Sequence, residues 1–136
     1  EIGYYVFDGC TNLESIILSQ NLKLIETQAF NNCTALSSII LPASLEEIGN
    51  KTFYGCEALV SINMPESLKK IGTSAFANCA NLTKIYLDNI AAWCGVKHAD
   101  KETNPQNPDD KRILFLFKRV QELENQNKLI FSFLII

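Results

Sequence analysis

The stretch TFYGCEALVSINMPESLKKIG, from Thr52 to Gly72, places Cys56 three residues after Phe53 and ahead of an apolar alternation that ends at Pro65. The same outline recurs. Cys10, Cys33, Cys56 and Cys79 stand 23 residues apart (33 minus 10, 56 minus 33, 79 minus 56), and Phe7, Phe30, Phe53 and Phe76 keep the same step. So do Leu13, Leu36, Leu59 and Leu82; Ile16, Ile39, Ile62 and Ile85; Leu18, Leu41, Met64 and Leu87; Leu22, Leu45 and Leu68; and Ile2, Ile25, Ile48 and Ile71. A fixed period of this size marks a solenoid, whose units each bury their apolar face only against their neighbours.

Within a unit, SSIIL alternates, with Ile39 and Leu41 on one face and Ser38 and Ile40 on the other, as in a short strand. Pro42 and Pro65 lack a backbone donor and stop the ladder. SLEEIG then brings Leu45 and Ile48 inward and turns at Gly49, a residue suited to positive φ; Gly3 and Gly72 hold the same place, and Glu26 does not. NKTFYGC is short enough for one helical turn with Phe53 and Cys56 on one side. Each unit therefore reads as strand, corner and helical turn. Stacked, the units give an α/β solenoid with a parallel sheet along one side, its rungs about 4.8 Å apart.

At 136 residues, with 47% hydrophobic and 20% charged residues, the chain is long and apolar enough to fold. A net charge of -3 with no local cluster of Lys and Arg argues against nucleic acid as a partner. The longest uncharged apolar run, Leu129 to Ile136, is eight residues and contains Ser132, whereas a membrane helix needs roughly 20. No span is expected.

Written as L..I.LP.SL..IG..AF..C, the unit resembles the BspA-like, or Treponema-type, leucine-rich repeat of bacterial and protozoan surface antigens, over Ile2 to Leu87. The resemblance implies a right-handed solenoid with a curved sheet, a role in adhesion or protein binding, and a cell-surface or secreted location. The stretch from Asn89 to Pro108 is similar to an insertion that interrupts such repeats, matched at Trp93, Cys94 and Asn104-Pro105. The expected organisation is a leucine-rich repeat solenoid over 1–88, a WC-type insertion loop over 89–108, and a C-terminal segment over 109–136 that departs from the family pattern. In that last segment Ile113, Leu116, Val120, Leu123, Asn127, Ile130 and Leu134 follow a heptad and favour a helix from about Asp110 to Gln126. Two strands, ILFLF and LIFSFLII, are the alternative. Ile2 has the phase of Ile25, so the strand and proline of the first unit would lie before Glu1, and a fragment of a longer chain is expected.

The phased cysteines could bind metal, pair as disulfides or act as nucleophiles. A straight row at rung spacing is no tetrahedron and is too wide for a disulfide, so packing is the better reading. Cys94 with His98 and Asp100 suggests half a metal site, without a second ligand pair of suitable spacing. Trp93 reads as an apolar plug at the end of the stack. No phosphate loop or nucleophile elbow is present, and the one histidine lies in a polar loop, so neither catalysis nor a cofactor is expected.

The outward side of the strands carries two rows, Ser15, Ser38, Ser61 and Lys84, and Ile17, Ile40, Asn63 and Tyr86. They are the candidate partner-binding face for a protein ligand; the competing reading is that β-branched residues sit there only to favour the strand. A purely structural spacer, with its functional site elsewhere in a longer protein, is the alternative function. N-x-S/T sequons occur at Asn32, Asn50 and Asn81 and would matter in a secreted eukaryotic product.

Overall fold

The computed structural model describes residues 1–98. Expectations for the chain after His98, including the C-terminal helix or strands and Asp100, lie outside the described residues. The strands are β1 Ser15–Ile16, β2 Leu24–Ile25, β3 Ser38–Ile39, β4 Glu47–Ile48, β5 Ser61–Met64, β6 Lys70–Ile71 and β7 Lys84–Leu87; helix α1, Ile90–Cys94, and β8, Lys97–His98, follow.

All strand pairs are parallel, and the sequence period is their register: Ile16 faces Ile39, Ile48 faces Ile71, and Ile62 faces Ile85. Alternation along SSIIL is as the pattern required, with Ile39 and Leu41 at 4% and 1% exposure and Ile40 at 74%. The rungs are thus stacked units of one kind.

The corner is more than a corner. SLEEIG and its counterparts form a second ladder, β2-β4-β6-β8, beside the pairs β1-β3 and β5-β7. Extended backbone at Glu47–Ile48 buries Ile48 and leaves Glu47 outside, a two-residue alternation too short to register as a strand in sequence.

Glycine acts there through space, not through φ. Gly49 and Gly72 are absent from the left-handed region. A Cβ on Gly49 would lie 2.5 Å from the Thr27 nitrogen, and one on Gly72 2.5 Å from the Asn50 nitrogen. The backbones of adjacent rungs meet closely at Gly49 and Gly72, where a side chain would collide with main chain; Glu26 holds the same phase one rung earlier.

NKTFYGC is likewise not a helical turn. Positive φ falls on Tyr5, Gln28, Lys51 and Ser74, and again on Gly9, Asn32, Gly55 and Asn78. Each row keeps the 23-residue step. These left-handed residues break the helical run into successive turns, closed by Tyr54 N–H to Lys51 O (3.2 Å) and Cys56 N–H to Phe53 O (3.2 Å). The intervening amides are thereby freed for the next rung: Lys51, Phe53 and Gly55 donate to Thr73, Ala75 and Ala77 at 2.8 to 2.9 Å. A helix would have spent those donors within itself.

Inside this arc the phenylalanines stack, with ring centroids 5.0, 5.4 and 5.3 Å apart from Phe7 to Phe76. Phe30 and Phe53 are fully buried. Full burial of each ring contributes roughly 1.5–3 kcal/mol by transfer alone, and every inner ring depends on both neighbours for it.

The segment anticipated as an insertion loop opens with structure of its own. Asn89 caps α1 by accepting from the Ala92 amide (3.1 Å), and β8 then pairs with β6, Ile71 facing His98. That register is 27 residues (98 minus 71) rather than 23, so α1 takes up the surplus while the ladder continues. Trp93, at 2% exposure, joins the core cluster as the apolar plug its position suggested.

Candidate functional site

Parallel strands closed by proline and packed on one face present the other to solvent. Ile17 is 98% exposed, Ile40 74% and Tyr86 58%; Ser15, Ser38 and Lys84 are exposed beside them, and Val60 adds 46%. β1 and β3 are hydrogen-bonded neighbours one residue before Ile17 and Ile40, so those two residues stand on adjacent rungs. The cost of leaving them in water brings no packing, because their strands already bury Ile16, Leu18, Ile39 and Leu41.

Ser61 and Asn63 do not share this exposure. Both are half-buried, and the Asn63 amide faces its neighbour: Oδ1 accepts from Leu41 N–H (2.8 Å) and Nδ2 donates to Leu41 O (2.8 Å). A side-chain amide here stands in for a peptide group, at the one junction between sheet rungs where β3 and β5 are not paired as a ladder. Asn63 is therefore a structural clamp that divides the apolar strip, with Ile17 and Ile40 on one side and Tyr86 on the other. Sequence placed it correctly by phase; its polar amide, opposite isoleucines, was the available signal of a different role.

The cysteine row is packing. Each thiol reaches the phenylalanine carbonyl of the preceding rung: Cys33 to Phe7 (3.1 Å), Cys56 to Phe30 (3.3 Å) and Cys79 to Phe53 (3.0 Å). Burial raises the Cys33 thiol to about 11, and it raises Cys56 further, with the neighbouring Cys79 and Cys33 adding to the effect. Neutral thiols that donate hydrogen bonds are poor nucleophiles and poor metal ligands.

The side chains of Cys94 and His98 lie outside the described residues, as does Asp100. Among the described residues no group of three or more His, Cys, Asp or Glu side chains converges on a common point, and no helix is long and apolar enough to cross a membrane.

Ion pairs cross the rungs on the second ladder. Lys23 and Lys69 flank Glu46 from either side, the first at 3.3 Å, and Lys70 meets Glu47 at 3.4 Å. Hydrogen bonds from Lys69 and Lys23 hold the Glu46 carboxyl below the usual carboxylate range.

A solenoid of parallel strand, second ladder and αL-punctuated turns, phased by Phe and Cys, is the geometry of one sequence pattern. The BspA type leucine-rich repeat region matches residues 1–93, in 6 copies. The chain belongs to this family.

Two solved structures extend the comparison of these BspA-type repeats. The T. pallidum leucine-rich repeat protein is 24% identical, with a TM-score of 0.63, over 82% of this chain and 53% of its own. A leucine-rich cell surface protein from Faecalibacterium prausnitzii is 30% identical, with a TM-score of 0.67, over 75% of this chain and 27% of its own. The first likeness is one of fold. The chain spans about half the length of the one structure and about a quarter of the other. No curated protein matches it.

Proposed function

We propose that this chain is a non-catalytic protein-binding repeat module of a larger, surface-exposed protein, and that it engages a protein partner through the open sheet face. Ser15, Ile17, Ser38, Ile40, Ser61, Lys84 and Tyr86 are the contact set; Asn63 holds the face together from within. The observation that carries this reading is Ile17 and Ile40, at 98% and 74% exposure on adjacent rungs. Large apolar side chains grouped in water are what a partner covers, and aromatic residues such as Tyr86 anchor such contacts. A location at the cell surface is supported by the F. prausnitzii neighbour, which is described as a cell surface protein.

The experiment is a pull-down against host matrix and surface proteins with wild type, Ile40→Asp and Tyr86→Asp. Loss of a captured partner with both variants supports the face; unchanged capture removes it from consideration.

A second reading, repeats as an architectural spacer, is favoured by one observation. Half-burial of Ser61 and Asn63 leaves the strip discontinuous. It forecasts that the isolated repeats capture nothing that the full-length protein captures.

A further inference from the structure

We draw no further inference here: the strongest candidate, the apolar strip of Ile40, Val60 and Tyr86 on the outward sheet face, belongs to the surface already described, and nothing among the described residues shows what covers it.

Discussion

Rungs one and three carry the same residues at the same phases and bury them differently. Phe53 and Cys56 of the third rung are fully buried, whereas Phe7 and Cys10 of the first are only partly covered. Phe53 has a ring stacked on each side, at 5.4 and 5.3 Å; among the described residues Phe7 has Phe30 on one. Burial in a solenoid is thus a property of the neighbours and not of the residue, which makes stability nearly additive along the stack and sensitive to each interface.

The largest effect should fall on the phenylalanine row. Phe53→Ala opens a cavity between two rungs and is expected to cost about 3–5 kcal/mol. Phe7→Ala, with half the contacts, should cost roughly half as much. Urea unfolding of both variants measures the pair, and equal losses would contradict burial by neighbours. Hydrogen exchange should show the Phe53→Ala damage in the amides of Lys51 and Gly55 as well, because these bridge to the fourth rung.

Next comes the glycine pair. Gly49→Ala drives a methyl to 2.5 Å from the Thr27 backbone, and overpacking against main chain should cost about 1–3 kcal/mol. At Gly3 the added Cβ meets only a Val6 methyl, at 3.6 Å, so Gly3→Ala should be neutral or stabilise by up to about 1 kcal/mol. Thermal melts that moved together would show that inter-rung approach does not set the glycine phase.

What was legible in the sequence follows from what repeats strongly enough to be counted. Strand phases and the Phe and Cys rows came from side chains whose character is dictated by burial, whereas the outward rows were read from alternation alone, which did not distinguish half-buried Ser61 and Asn63 from exposed Ile17 and Ile40. The second ladder was not legible, because two extended residues per rung leave no alternation to detect, and the pairing partner is 23 residues away rather than local. The αL rows were hidden by composition. Gly9, Asn32, Gly55 and Asn78 do carry the Gly/Asn signature of positive φ, but Tyr5, Gln28, Lys51 and Ser74 do not. In the latter row the fold overrides local preference, since the turn is required by the amides that must reach the next rung. Asn63 was assigned to the outward face with no sign of its bonds to Leu41, because phase reports where a side chain starts and not what it bonds.

Asn63 therefore separates face from clamp. Asn63→Ala removes two hydrogen bonds at the junction of β3 and β5 and should cost about 1–2 kcal/mol. Ile40→Ala on the same face should stay within about 0.5 kcal/mol. Denaturant midpoints decide it, and a neutral Asn63→Ala would return that residue to the contact set.

The smallest effect lies on the second ladder, where charge rather than packing links the rungs. Glu46, flanked by Lys69 and Lys23, has its folded pKa depressed, while Lys70 meets Glu47 singly. A carboxylate with a depressed folded value contributes stability that is fully present above the unfolded glutamate value of about 4.3 and is lost as pH falls through the folded value. Both partners of Glu46 are well exposed to solvent, so salt weakens the contribution as well. Glu46→Gln should flatten the acid limb of a melting-temperature-against-pH profile slightly and leave the limb above neutrality unchanged. A wild-type acid limb identical to that of Glu46→Gln would mean that the Glu46 ion pairs add nothing to what the packing and the inter-rung hydrogen bonds already hold in register.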